Sequence, residues 1–177
     1  MLLQIGQFRR AHGPVDLLLA CHGKIRHFLS LASSLSTVPA SAAETASAAS
    51  QVRRYFKEAF PLHIADEEEL VEPLLRLRDP NLGEPLSNMK REHRDQEGTV
   101  ARLLSLCGIV EVRPQRLVAL QHHLKATTDE LRAGLELHLA EEERLLFPAL
   151  SRLLSSTELE SVLVAMRLRR ERAFPST

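Results

Sequence analysis

His63-Ile-Ala-Asp-Glu67-Glu68 and His138-Leu-Ala-Glu-Glu142-Glu143 are two copies of one pattern, 75 residues apart in a chain of 177 residues. Both copies continue in the same way, so that the full pattern is H-x-x-x-E-E-x-L-x-x-P-x-L. A histidine and a glutamate four residues apart lie on one face of an α-helix, about one turn apart. Such a pair supplies half of the ligands of a metal site, and two pairs facing each other in a helical bundle supply the whole set.

Helical periodicity dominates the rest of the chain, and no alternating strand pattern extends over a useful length. The pattern predicts four long helices and a short last one, at about 14–36, 44–78, 84–106, 112–154 and 157–172. Four long helices with short connections predict an all-α fold, an up-down-up-down four-helix bundle over about 14–154 with the short helix appended. The length of 177 residues predicts a single domain, 1–177. In this topology the second and fourth helices run in the same direction, so that the two motifs face each other.

Local signals set the expected helix boundaries. Phe60-Pro61 predicts a kink or break inside the second helix, because proline disrupts a helix interior. Cys107-Gly108 predicts the end of the third helix, because glycine can supply a left-handed cap. Thr157, followed three residues later by Glu160, has the spacing of a capping box at the start of the last helix.

The two remaining long helices each carry a central histidine. His22 lies on the first and His93 on the third, 71 residues apart, close to the spacing of the repeated motif. The candidate metal ligands are therefore His22, His63, Glu67, His93, His138 and Glu142. Four imidazoles and two carboxylates suit a pair of first-row transition ions, whereas Mg²⁺ or Ca²⁺ would prefer oxygen ligands throughout. Ligand type alone leaves iron, zinc and manganese open.

Glu67 and Glu142 are the candidates for bridging ligands. If each bridges two ions, every ion has two carboxylate oxygens and two imidazoles, and open positions remain for water, an oxo bridge or a small exogenous ligand. Open positions are typical of a reactive metal site rather than a structural one. A bundle without metal would have to bury the same side chains at a large cost in free energy, which favours the metal-binding interpretation.

Glu97 lies four residues after His93 and is a possible seventh ligand or a partner of a ligand, with a solvated helix position as the alternative. The other histidines are expected to lie outside the site. His27 points away from the face of His22, and His122 and His123 precede His138 by about 22–24 Å along the helix axis.

The remaining polar and thiol side chains singled out by the sequence are expected to have ordinary structural roles. Outer glutamates of the runs 67–69 and 141–143 are expected to be solvated, and so are the arginines between 167 and 172. Cys21 is expected to be a packed thiol, and His12 lies before the first helix.

Composition excludes several classes of partner. Lys and Arg number 23, as do Asp and Glu, and only 4% of residues are aromatic, so that neither a basic surface nor a stacking platform for nucleic acid is expected. No apolar run reaches the ~20 residues that a membrane span needs. Two cysteines cannot form a disulfide framework, which fits a reducing, cytoplasmic location.

With these residues in place, the chain resembles the hemerythrin-like (HHE cation-binding) domain family, whose pattern is H…HxxxE…H…HxxxE on a four-helix bundle. The resemblance covers roughly residues 15–154 and implies two non-heme iron ions held by the six candidate ligands. Oxygen-carrying members have a further histidine at the position of Glu97, and related sequences often have one at Ile64. The ligand set is therefore most similar to the di-iron domain of iron–sulfur cluster repair proteins.

The resemblance implies a di-iron protein that binds or reacts with a small diatomic or peroxidic ligand (O₂, NO or H₂O₂), in a redox or nitrosative stress response or in sensing. The alternative is an iron storage, delivery or cluster repair protein with exchangeable ions. Whether the protein is an enzyme, whether it is a monomer or a homodimer, and which protein partner it has are left open by the sequence.

Overall fold

The computed structural model describes residues 11–37 and 40–175. All regular secondary structure in these residues is helical, without a β-strand, which confirms the predicted all-α class. The described residues form eight α-helices: α1 (Pro14–Leu35), α2 (Ala42–Arg54), α3 (Phe60–Asp66), α4 (Glu72–Arg78), α5 (Gly83–Val112), α6 (Leu117–Glu141), α7 (Phe147–Leu153) and α8 (Ser156–Ala173). None of the helices described is both long enough and apolar enough to cross a membrane.

Three π-helical turns join consecutive α-helices without a break: Tyr55–Ala59, Glu67–Val71 and Glu142–Leu146. Residues 42–78 and 117–153 therefore each form one continuous helical segment. Short 3₁₀ turns at Pro80–Leu82 and Pro114–Arg116 precede α5 and α6. The predicted long helices are thus present. Two of them, 42–78 and 117–153, contain π-turns that the sequence did not predict.

A proline follows each π-turn at the second position, and this explains why the turns occur. The N–H groups of Phe60, Glu72 and Phe147 donate to carbonyl groups five residues earlier. The next residue is Pro61, Pro73 or Pro148, which has no N–H and whose ring would clash with a carbonyl in a regular α-helix. A wider turn accommodates the ring. Of the kink or break predicted at Phe60-Pro61, the break does not occur, because the helix continues through a π-turn.

The third long helix extends past the predicted end at Cys107-Gly108. Helix α5 continues to Val112, and no glycine in the described residues has a positive φ, so Gly108 is not a left-handed cap. Val110 is fully buried and extends the apolar face of the helix. The helix ends where Pro114 forces the preceding residue, Arg113, out of the α region, to φ −137° and ψ 74°.

The capping box of α8 lies two residues earlier than predicted. Ser155, and not Thr157, is the N-cap: the Glu158 N–H donates to Ser155 Oγ (3.3 Å), and the Ser155 N–H donates to Glu158 Oε2 (2.8 Å). Both pairs have the required sequence spacing. The earlier pair is used because α7 ends at Leu153 and Leu154 is extended, which leaves Ser155 as the first residue able to cap.

The chain divides into two compact units. Unit 1 comprises the described parts of Met1–Gly23, Leu62–Lys90 and Leu139–Thr177, and its core is a cluster of aliphatic side chains with Phe147 and Met166. Unit 2 comprises the described parts of Lys24–Pro61 and Arg91–His138. Its core contains fully buried leucines and a stacked pair, Phe28 and Tyr55, with ring centroids 4.2 Å apart.

Candidate metal centre

Unit 1 contains four candidate ligands in one buried group. His22 lies on α1, His63 on α3, and Glu67 and Glu142 are the first residues of two π-turns. One ligand atom of each residue lies within 4.8 Å of the others. All four side chains are at most 2% exposed. The structure therefore brings both glutamates of the repeated motif together with two of the predicted histidines.

The distances within this group match the spacing of ligands around a metal ion. His22 Nε2 lies 3.3 Å from Glu142 Oε2 and 3.9 Å from Glu67 Oε1, and His63 Nε2 lies 3.4 Å from Glu67 Oε1. Ligand atoms bound to one ion at about 2.1 Å lie roughly 3–4 Å from each other. A transition ion therefore fits among these nitrogens and oxygens.

Unit 2 contains the other pair of predicted histidines. His93 on α5 and His138 on α6 point their Nε2 atoms at each other, 3.0 Å apart, and the side chains are 5% and 4% exposed. Two imidazole Nε2 atoms that converge in this way can both bind one cation. Glu142 follows His138 by four residues, across the junction of α6 with its π-turn.

Two carboxylates outside the predicted set orient the imidazoles. Glu143 Oε1 lies 2.8 Å from His22 Nδ1, and Glu92 Oε2 lies 2.9 Å from His138 Nδ1. An ionised carboxylate can only accept a hydrogen bond, so in each pair Nδ1 donates. The lone pair of Nε2 is then available to a metal, which is the usual arrangement around histidine ligands.

Neither orienting carboxylate was identified from the sequence. The prediction that the outer glutamates of the acidic runs are solvated is wrong for Glu143, which is 31% exposed and contacts His22, 121 residues away. Glu92 immediately precedes His93 but forms its hydrogen bond with His138, and no spacing rule within one helix predicts that contact. In both cases the partner lies on another helix.

The electrostatic surroundings of His22 favour its protonated form. Burial would lower the pKa of His22, but the carboxylates of Glu142 and Glu67 outweigh burial and raise the pKa to about 9. The carboxylates of this group therefore favour a positive charge at this point, whether a proton or a metal ion supplies it.

We expect metal affinity to depend on pH because of this proton. With no metal bound, His22 is protonated below about pH 9, and an incoming ion must displace the proton. The apparent affinity for cobalt(II) should therefore rise between about pH 6 and pH 9, by up to roughly tenfold per pH unit. Cobalt titrations at constant ionic strength measure this slope, and an affinity independent of pH would contradict the assignment of His22 as a ligand.

The remaining sequence predictions around the site have mixed outcomes. His12, His27, His122 and His123 are exposed and lie outside the groups of candidate ligands, as expected. Cys21 is buried and unbridged, as predicted. The side chain of Glu97 is also exposed, and the structure does not bring it into a group of candidate ligands.

The prediction of a solvated arginine face on α8 is wrong for Arg169 and Arg170. Arg169 Nε lies 3.2 Å from Asp66 Oδ1, and Arg170 Nη1 lies 2.5 Å from Asp66 Oδ2. Asp66 is completely buried, and burial raises the pKa of this carboxyl to about 6 although both arginines act to lower it. Asp66 is thus buried beside two arginines that favour its ionised form.

Replacing His122 and His123 together by alanine should leave metal content unchanged. Both side chains are exposed and lie about four turns before His138 on the same helix. Elemental analysis of the purified variant checks this expectation. Loss of metal from this variant would show that α6 presents a different face to the ligands.

The comparison with known families agrees with this geometry. The model of the family described as hemerythrin HHE cation binding domain matches residues 13–126, well over half of the chain. No curated protein matches the chain. The matched range includes His22, His63, Glu67 and His93, and the second copy of the motif follows it along the chain. The chain therefore belongs to the hemerythrin HHE cation-binding domain family.

Proposed function

We propose that this protein is a non-heme di-iron hemerythrin-like protein that binds or reacts with a small ligand, O₂, NO or peroxide. His22, His63, Glu67, His93, His138 and Glu142 would hold the two ions, with Glu67 and Glu142 as the candidate bridging ligands. The fold that accompanies this proposal is a single domain, an up-down-up-down four-helix bundle with α8 appended.

The observation that carries the proposal is the buried group of His22, His63, Glu67 and Glu142, whose ligand atoms lie within 4.8 Å of one another. Buried carboxylates are stable only when paired with cations or coordinated to metal. Imidazole and carboxylate together suit a first-row transition ion. The residues therefore fit the cation that the family binds, and the choice of iron rests on the resemblance to hemerythrin-like proteins.

When bound, the iron ions supply electrons and open coordination positions for the small ligand. The protein supplies the environment. Glu143 and Glu92 hold Nδ1–H of His22 and His138, which fixes the tautomers and the ring directions of these two imidazoles. Burial of the ligand residues excludes bulk water from the centre and strengthens its electrostatic interactions.

The second candidate is iron storage, delivery or iron–sulfur cluster repair, in which the ions must leave readily. The burial of all six predicted ligands, each at most 5% exposed, favours ions that are retained. Two free cysteines, Cys21 and Cys107, support the proposal of a reducing, cytoplasmic location for either function.

Metal analysis of untagged protein from iron-supplemented cells tests the proposal. We expect about two iron ions per chain that resist a mild chelator, and an absorption spectrum that changes on addition of NO, O₂ or peroxide. Rapid loss of iron to the chelator would favour storage or delivery. One zinc ion per chain, or no metal, would contradict the di-iron proposal.

A further inference from the structure

Helix α8 places one guanidinium group against two residues that directly precede metal ligands. Arg170 Nη1 lies 2.5 Å from Asp66 Oδ2, and Arg170 Nη2 donates to Cys21 Sγ at 3.4 Å. Cys21 precedes His22, and Asp66 precedes Glu67. A single side chain on the C-terminal helix therefore touches the neighbours of two ligands on two other helices, all within unit 1.

Arg169 completes this cluster from the same helix. Its Nε lies 3.2 Å from Asp66 Oδ1, and its Nη2 donates to Glu69 Oε2 at 2.8 Å. Both oxygens of Asp66 are thus held by arginines of α8. The carboxylate of Asp66 is completely buried and does not belong to the group of candidate ligands. It is paired with the two arginines instead.

Helix docking alone does not account for these arginines. Val162, Leu163 and Met166 of α8 are buried in the apolar core of unit 1 and already attach the helix. A buried ion pair is seldom a net gain over an apolar pair of similar size, because both charges lose their hydration. The position of the ion pair, next to the ligands, is therefore the feature to explain.

We propose that Arg170, assisted by Arg169, is a positioning residue of the metal centre. By holding Cys21 and Asp66, it fixes the backbone at the adjacent residues His22 and Glu67 and so the direction of their side chains. Helix α8 then belongs to the centre, although it lies beyond the residues that the family model matches. The inference rests on the proposed metal-binding function. Arg170 acts on the metal only through His22 and Glu67 and does not contact it.

Electrostatics and positioning predict opposite signs for the loss of Arg170. If Arg170 acted only through its charge, its removal would make the centre more negative and would strengthen cation binding. If it fixes the ligands, its removal weakens binding, and neighbours that orient metal ligands typically contribute about 10–100-fold in affinity. The sign of the change therefore separates the two explanations.

Cobalt(II) titration is the test, because the visible spectrum of this ion reports ligand geometry without redox chemistry. We expect Arg170→Met to weaken cobalt binding by about tenfold and to shift the visible bands. Asp66→Asn should cause a similar loss, and the double variant should lose little more than either single one, because the two residues act as a pair. Arg172→Met is the matched control, since Arg172 is exposed on the same helix.

Arg170→Lys is a second variant that tests the same proposal if Arg170→Met does not fold. Lysine keeps the charge, but its single ammonium group cannot make both the Asp66 and the Cys21 contacts. We expect this variant to fold, to bind cobalt more weakly than the unmodified protein and to show shifted bands. Unchanged or tighter binding by the folded Arg170 variants would overturn the inference. Absence of cobalt binding by the unmodified protein would instead contradict the metal-binding function itself.

Discussion

Alanine in place of Glu67 or Glu142 should abolish binding of at least one of the two iron ions that we propose per chain. Both carboxylates belong to the buried ligand group and both are proposed bridges, so that each variant removes an oxygen from both ions. Alanine leaves the histidines in place but cannot hold a cation. Iron per chain, measured after reconstitution and desalting, should fall from about two to one or fewer.

Glu97→Ala is the matched control for these variants. It removes the same type of side chain from a helix of the same protein, but Glu97 is exposed. We expect it to retain full iron content. Retention of two ions by both Glu67→Ala and Glu142→Ala would show that neither carboxylate is a required bridge, and loss of iron from Glu97→Ala would make that residue a ligand.

Removal of metal should lower the melting temperature by roughly 10 °C. A ligand present at about 1,000 times its Kd stabilises the folded state by about 4 kcal/mol, and each kcal/mol corresponds to about 2–4 °C for a protein of this size. The metal also neutralises the buried carboxylates Glu67 and Glu142. Differential scanning calorimetry of the loaded and chelator-treated protein, at equal protein concentration, measures the difference.

Re-addition of iron should restore the higher melting temperature, and Glu142→Ala should show little response to either treatment. An identical melting temperature with and without metal would mean that the ions bind a surface site rather than this buried group. Mg²⁺ provides a further control, because a site with imidazole ligands should not respond to it.

The repeated motif was sufficient to predict the helical class and the close approach of its two glutamates. A His and a Glu four residues apart share a face in any α-helix, and the structure confirms that Glu67 and Glu142 come together with His22 and His63. This part of the prediction succeeded because it needs only helical geometry. The capping box of α8 was misplaced because two serine or threonine residues offered the same spacing.

The polar contacts that support the ligands from other helices could not be predicted from the sequence. Glu143 accepts a hydrogen bond from His22, and Glu92 accepts one from His138. Arg170 forms an ion pair with Asp66. In each case the two residues lie on different helical segments. Which faces meet depends on the packing of the whole unit, and a charged residue that pairs in the interior is indistinguishable in sequence from one on a solvated face. The prediction of solvated arginines on α8 was wrong for Arg169 and Arg170 for this reason.

The π-turns that begin at Glu67 and Glu142 also determine which changes in length the chain can tolerate. Each turn holds one residue more than a regular α-helix would need, so a single-residue deletion there would restore ordinary helical bonding at the proline's expense. Residues after the deletion, among them the completely buried Leu75 and Leu150, would keep about the same rotation, because the wider turn already absorbs the extra residue. The destabilisation would come from Pro73 or Pro148, whose ring would clash with a carbonyl group of the regular α-helix. Each copy of the motif therefore needs its proline and its wide turn together.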